Sequence, residues 1–274
     1  MKFVMKFVEL QNIFQVNPTM DLEIEHIGNE KVPIVTVSNF YKKPQNVRRF
    51  VQDIPATNYK RPAGSKNFEE YFFSRQSMNF KYGYEGVMRA VTEIVRQTYG
   101  VKVQTPPMFT TNVFQLQKPQ AKHLRPFPHQ DFATQSPVEY ERNPPKVVDK
   151  FNAVIFLNTK QESRGGTAFY RDKKSGMESV PLDPKKYRHF YEQIAKSDNI
   201  ENGYDYWHQA QSETWDVHHI SPMIYNSLLI FPSHLFHSWW HLPHQFIKYP
   251  RITQVLFSVG DGSPAETANP QRAA

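Results

Sequence analysis

The chain contains no cysteine. This excludes a disulfide framework, a thiolate-ligated zinc site and a cysteine nucleophile, so any metal must be held by His, Asp or Glu. It also fits a cytoplasmic location, which is the expectation here. No apolar run approaches the roughly 18 residues of a membrane span. Lys6 and Glu9 interrupt the apolar N-terminal stretch, so no signal peptide is expected. There is no internal repeat, no low-complexity linker and no dense basic tract. The formal net charge is +7, but Lys42-Lys43, Arg48-Arg49, Lys173-Lys174 and Lys185-Lys186 are dispersed. Such a spread reads as a soluble basic protein; attraction to nucleic acid is the weaker alternative.

Large apolar side chains are abundant: 21 Phe, 14 Tyr and 4 Trp, an aromatic content of 14%. A disordered chain would not carry them. Short apolar runs and 21 prolines suit many short strands better than a helical bundle. Three helices are expected: about 44–54, about 86–99, and one that starts at Pro184 behind Asp183. Their apolar faces are Val47, Phe50, Val51 and Ile54; Val87, Val91, Ile94 and Val95; and Tyr187, Phe190, Tyr191 and Ile194. Strands are expected at 112–116, 151–157, 167–170, 224–231 and 252–259. The second and third read as a hairpin closed by 158–166. The fold class is therefore mainly β with flanking helices: a jelly roll or cupin-like barrel with N-terminal helices packed outside. The expected organisation is a single domain over 1–274. Within it, 1–105 is a helical support, 106–262 the barrel core with an insertion at about 171–221, and 263–274 a flexible tail.

The only His-x-Asp is His129-Gln130-Asp131. Residues two apart on an extended segment point the same way, so an imidazole and a carboxylate can converge on one metal. Chance alone would supply on the order of 0.4 such pairs, and a turn capped by Asp131 would explain the motif equally well. Downstream, Ser227-Leu228-Leu229-Ile230-Phe231-Pro232-Ser233 is a strand that runs into a turn, followed by His234 and His237. Either His could return to the metal. Arg251-Ile252-Thr253 opens the next strand. There a guanidinium fork and a hydroxyl share one face and suit a carboxylate.

The order His-x-Asp, glycine-led strand, Phe-Pro-Ser with a downstream His, then Arg-x-Thr resembles the 2-oxoglutarate and Fe(II)-dependent dioxygenase superfamily. The nearest likeness is to its prolyl-hydroxylase-like bacterial members. Gly165-Gly166-Thr167-Ala168-Phe169-Tyr170 looks like the glycine-led strand of that group. The resemblance covers roughly 110–260 and departs from the pattern in the long separation of Asp131 from His237. It implies a double-stranded β-helix, with Fe(II) on His129, Asp131 and His237, the last preferred over His234. It further implies that Arg251 and Thr253 bind the far carboxylate of 2-oxoglutarate. With O2 as co-substrate, such an enzyme forms succinate and CO2. A carboxylate at Asp131 implies hydroxylation, desaturation or cyclisation rather than halogenation.

Asn112, Gln115 and Asn152 are candidates for the iron-side end of 2-oxoglutarate. Asn112 and Gln115 are three apart, so only one can face a pocket. Tyr170, Arg171 and Trp239 are candidates for substrate contact. The neighbours His218 and His219 should face opposite sides of a strand, and His241 and His244 belong to a loop. The expected partner is a small-molecule or amino-acid-type substrate, with no membrane and a homodimer left open. Three rivals remain: a cupin-like metalloenzyme that does not use 2-oxoglutarate, a non-catalytic jelly-roll binding module, and nucleic-acid demethylation.

Overall fold

The computed structural model describes residues 7–53, 56–58, 74–77, 83–100, 109–117, 128–131, 137–142, 150–181, 183–190, 214–241, 246 and 248–258. Its strands are β1 (Asp21–Ile27), β2 (Val32–Ser38), β3 (Ala56–Asn58), β4 (Ser74–Ser77), β5 (Phe109–Gln117), β6 (Phe151–Phe156), β7 (Gly166–Asp172), β8 (Trp215–Pro222), β9 (Ser227–Pro232), β10 (His237–Trp240) and β11 (Arg251–Ser258). Eight of them form one sheet in the order β1-β2-β9-β6-β11-β5-β4-β3. The other three form a second sheet in the order β10-β7-β8. Every described pairing is antiparallel.

The larger sheet is covered on both faces, and its strands show this by alternation. On β9, Leu228 and Ile230 pack on one side, against α2 (Pro44–Asp53) and α3 (Glu85–Tyr99). Leu229 and Phe231 turn to the other side and meet Phe169 of the smaller sheet, with the Phe231 and Phe169 rings edge to face at 5.2 Å. On β6 the helix side takes Phe151, Ala153 and Ile155, while Phe156 faces the interior. Two-sided burial leaves no polar phase in these strands, which is why they read as continuous apolar runs. A third cluster covers the far face of the smaller sheet. There Ala168, Tyr170, Trp215 and Phe236 pack with Tyr140 of α4 (Pro137–Arg142) and with Tyr187 and Phe190 of α5 (Pro184–Phe190).

The helices at 44–53 and 85–99 stand where their periodicity places them, and Gly100 closes the second in the left-handed conformation. Asp183 caps α5 by accepting from the backbone N–H groups of Lys185 (2.9 Å) and Lys186 (3.0 Å). Ile54, Tyr191 and Ile194 lie outside the described residues. No helix among the described residues is long and apolar enough to cross a membrane.

Three expectations are corrected. First, 151–157 and 167–170 do not form a hairpin. β6 pairs with β9 and β11 in the larger sheet, whereas β7 pairs with β8 and β10 in the smaller. The chain crosses between sheets here, and the crossing is held from outside. Arg48 of α2 donates to Glu162 (2.5 and 2.8 Å) and to the Leu157 carbonyl (3.0 Å). Second, the first 100 residues are not solely a helical support. They contribute β1 to β4, and β2 docks directly on β9. The alternating Asp-Leu-Glu-Ile-Glu-His-Ile of β1, followed by Gly28 and then β2, carried that signal. Third, the strand expected at 224–231 runs from Ser227 to Pro232, and the insertion narrows to 173–214, because β7 continues to Asp172 and β8 starts at Trp215.

Gly165 allows the crossing to close. It sits at φ +80°, and a Cβ there would stand 2.0 Å from the Trp240 carbonyl oxygen. Gly176 has a similar φ of +72° with nothing within 4 Å of its Cβ position. Gly176→Ala should therefore cost only the backbone penalty, roughly 1–2 kcal/mol. Gly165→Ala should cost clearly more, because backbone must also move. Denaturant melts of the two variants test this, and equal losses would show that β10 yields freely.

Candidate metal centre

The site begins with a backbone contact. His129 and His237 form an isolated antiparallel bridge: His129 N–H donates to the His237 carbonyl (2.9 Å), and His237 N–H donates to the His129 carbonyl (2.8 Å). Two residues on, Asp131 N–H donates to the Ser233 carbonyl (3.1 Å). The short segment carrying His129 and Asp131 is thus zipped onto the turn between β9 and β10. His237 in turn stands opposite Phe169 in β7.

One potential ligand atom from each of His129, Asp131 and His237 lies within 4.8 Å of the others. His237 Nε2 is 3.1 Å from Asp131 Oδ2, and the two imidazole rings are 4.6 Å apart at 45°. His237 Nδ1 lies 2.9 Å from the Leu235 carbonyl, which can only accept, so Nδ1 donates there and Nε2 is the nitrogen turned to Asp131. Asn152 of β6 completes the cluster. Its Nδ2 donates to Asp131 Oδ2 at 2.7 Å and stands 3.5 Å from His237 Nε2.

Burial pushes the Asp131 carboxyl up, but the hydrogen bond to His237, the charges of His237 and His129, and the Asn152 amide outweigh it. The net result holds the pKa down at about 2. Asp131 is therefore an anion at neutral pH, as a metal ligand must be. Its side chain keeps 25% of its surface accessible, which leaves the cluster open on one side. His234, the other candidate for the third position, is not in the cluster. Burial holds its pKa down at about 4, and its carbonyl accepts from Val180 N–H (2.9 Å).

The second feature is Arg251, the first residue of β11. It is only 4% exposed, and burial pushes its pKa down to about 9. Its guanidinium lies over the rings of Phe156 (5.7 Å) and Trp239 (6.0 Å), and Nη1 donates to Thr253 Oγ1 in a long contact of 3.5 Å. The end of β6 fixes this start of β11: Asn158 donates to the Pro250 carbonyl (2.9 Å) and accepts from Ile252 N–H (2.7 Å). Thr253 is fully buried and stands opposite Phe156, four residues along β6 from Asn152. That separation is about 13 Å of strand. Trp239 bridges the interval, two residues beyond His237 on the same face of β10.

The remaining candidates divide. Trp239 lines this interior through its contact with Arg251. Gln115 is directly opposite Thr253 in β5, so it is the member of the Asn112–Gln115 pair that shares Thr253's phase. Asn112 pairs with Leu256, which packs with the helices; the side chain of Asn112 lies outside the described residues. Asn152 touches the carboxylate of the triad itself, a role that its strand position alone did not specify. Tyr170 and Arg171 make their described contacts elsewhere. Tyr170 packs in the cluster on the far face of the smaller sheet, with its hydroxyl 2.8 Å from Ser238 Oγ. Arg171 is engaged by the buried Glu178, Nε donating at 2.7 Å, and Glu178 also accepts from Asn29 N–H (2.8 Å) at the β1–β2 turn. His244 lies outside the described residues, and His241 contacts the Trp239 ring at 4.8 Å.

The profile of DUF6445, a family of unknown function, matches residues 18–241. The chain belongs to that family. No curated protein matches it in sequence. Among solved structures it is similar to SnoN, a non-haem α-ketoglutarate-dependent epimerase of nogalamycin biosynthesis, at 13% identity and a TM-score of 0.46, over 83% of this chain and 76% of that one. It is similar to HygX from Streptomyces hygroscopicus, solved with nickel, 2-oxoglutarate and hygromycin B, at 8% identity and a TM-score of 0.46, over 94% and 87%. A Pseudomonas putida prolyl-4-hydroxylase matches at 8% identity and a TM-score of 0.38, over 89% and 93%. With all three TM-scores below 0.5, the chemistry rests on the side chains of this DUF6445 chain.

Those side chains make a direct prediction about the metal. Ni(II) at a hundred times its Kd should stabilise the wild-type protein by about 2.7 kcal/mol. His237→Ala should lose that stabilisation and His234→Ala should keep it, as read by thermal melting with and without Ni(II). The reverse pattern would move the third ligand to His234.

Proposed function

We propose that this protein is an Fe(II)- and 2-oxoglutarate-dependent oxygenase that hydroxylates an unactivated carbon of a small-molecule or amino-acid-type substrate. The observation that carries the reading is the convergence of His129, Asp131 and His237 at one end of an interior that buries Arg251 further along. Two imidazoles and one carboxylate are the donor set of non-haem iron sites that keep open positions for co-substrates. The residues fit that group: His237 turns Nε2 to the cluster, and Asp131 holds a carboxylate kept at a low pKa. With 2-oxoglutarate and O2, bound iron supplies oxidation of a carbon coupled to formation of succinate and CO2.

The protein's own contributions follow from the geometry. The bridge between His129 and His237 orients the two imidazoles before anything binds. Arg251 offers a planar fork that suits the far carboxylate of 2-oxoglutarate, and Thr253 adds a hydroxyl on the same face. A carboxylate docked there would favour the charged guanidinium that burial otherwise disfavours. Phe156 and Trp239 flank the guanidinium and exclude water, which strengthens the ion pair by lowering the local dielectric. The accessible side of Asp131 is where substrate would approach.

Trp239 provides the readout. Anaerobic titration of the Ni(II)-loaded protein with 2-oxoglutarate should change tryptophan fluorescence. Arg251→Met should weaken binding by at least about thirtyfold, the loss expected when a buried charged partner is removed. Thr253→Val should weaken it by about fivefold, one ordinary hydrogen bond. With Fe(II) and O2, the wild-type protein should release succinate from 2-oxoglutarate. Unchanged 2-oxoglutarate affinity in Arg251→Met would defeat the co-substrate assignment and favour a metalloenzyme of another kind.

A further inference from the structure

Asn152 is the polar residue of β6 that reaches the site. It sits on β6 among apolar neighbours and is 1% exposed. A buried amide without hydrogen bonds costs on the order of 1–3 kcal/mol. Its Nδ2 has partners: Asp131 Oδ2 at 2.7 Å and His237 Nε2 at 3.5 Å. Its Oδ1 is buried and accepts no hydrogen bond among the described residues.

The orientation of the amide is not arbitrary. Asp131 Oδ2 accepts from Asn152 Nδ2 at 2.7 Å, and a carboxylate oxygen has no proton to give back to the amide oxygen. That bond fixes the NH2 end towards Asp131, and the oxygen is left as the end without a partner among the described residues. A buried acceptor of this kind calls for a donor that binds there. Hydrogen donors beside a metal triad are the protons of water or of another protic ligand on the metal.

We propose that Asn152 is a positioning residue of the metal centre: Nδ2 clamps the Asp131 carboxylate, and Oδ1 accepts a hydrogen bond from a metal-bound water. The inference rests on the metal-site reading above. A metal held by His129, Asp131 and His237 would leave the 2.7 Å bond from Asn152 to Asp131 available to orient the carboxylate. The bond fixes one oxygen of the carboxylate, and β6 holds the amide in place beside it. Hydrogen-bonding partners of metal ligands typically change affinity by about 10–100-fold.

The experiment uses the full-length metal-free protein under anaerobic conditions, with Co(II) as the probe. The variants are Asn152→Leu, which fills the space without polar atoms, and Asn152→Ser, which is polar but too short to reach Asp131. His129→Ala is the control. Co(II) affinity is read from the visible bands, whose position and intensity report coordination. Ordered water on the metal is read from deuterium coupling to Mn(II) in D2O by spin-echo spectroscopy. The expected result is a 10–100-fold weaker Co(II) affinity in both Asn152 variants, with altered bands and a changed water coupling. If the variants melt earlier without metal but keep wild-type affinity, bands and water coupling, Asn152 only fills space and the proposal is overturned. If His129→Ala binds Co(II) like wild type, the metal site itself is misassigned. Loss in His129→Ala with no change in either Asn152 variant overturns the Asn152 role alone and leaves the triad standing.

Discussion

The reciprocal pair of backbone hydrogen bonds between His129 and His237 is the constraint from which the rest of the site follows. It joins two segments far apart in the chain and sets their side chains side by side. Because Asp131 is two residues on and bonded to the Ser233 carbonyl, the carboxylate is brought to the same side by extended geometry alone. The positions of the three candidate ligands are thus determined by backbone, not by flexible side chains meeting across a cavity. The pair itself depends on β10 being seated on β7, and that seat depends on Gly165 letting the crossing chain pass against the Trp240 carbonyl.

Around that constraint, the interior between the sheets is divided by polarity. One part is a dry cluster: Ile27, Ile34, Phe156, Phe169, Leu229 and Phe231. Another carries ionised or hydrogen-bonding groups that an apolar core would exclude, namely Asn152, His237, Arg251 and Thr253. Burial acts on the charges in both directions. It depresses Arg251, which would gain from an anion, whereas Asp131 resists the same desolvation because two imidazoles and an amide favour its charged form. The helices on the outer face of the larger sheet and the short helices outside the smaller one matter to this chemistry indirectly. They bury the outward phases of β6, β7 and β9, and so force the inward phases into register with the site.

Much of this was legible in the order of residues. His129-x-Asp131, His237 after the Phe-Pro-Ser turn, and Arg251-x-Thr253 each carry a local reason to converge, and the periodicities of α2 and α3 mark real helices. Other features were legible and passed over, such as the alternating β1 strand and the glycine turn into β2. The partition of β6 and β7 between two sheets was not legible, because a strand buried on both faces shows no alternation from which to infer its partner. Tyr170 and Arg171 belong to the glycine-led strand, yet one packs in an aromatic cluster and the other is held by Glu178.

The sequence by itself determined which residues have the chemistry to bind a metal and a carboxylate, and which of them share a face. Those facts depend on side-chain type and on a two-residue repeat, both local. Only the tertiary structure decided that His237 and not His234 joins the cluster, that Gln115 rather than Asn112 stands opposite Thr253, and that Asn152 holds Asp131. Each of these is a matter of register between strands that are distant in the chain. Register is set by how all the buried faces fit at once, not by any one segment.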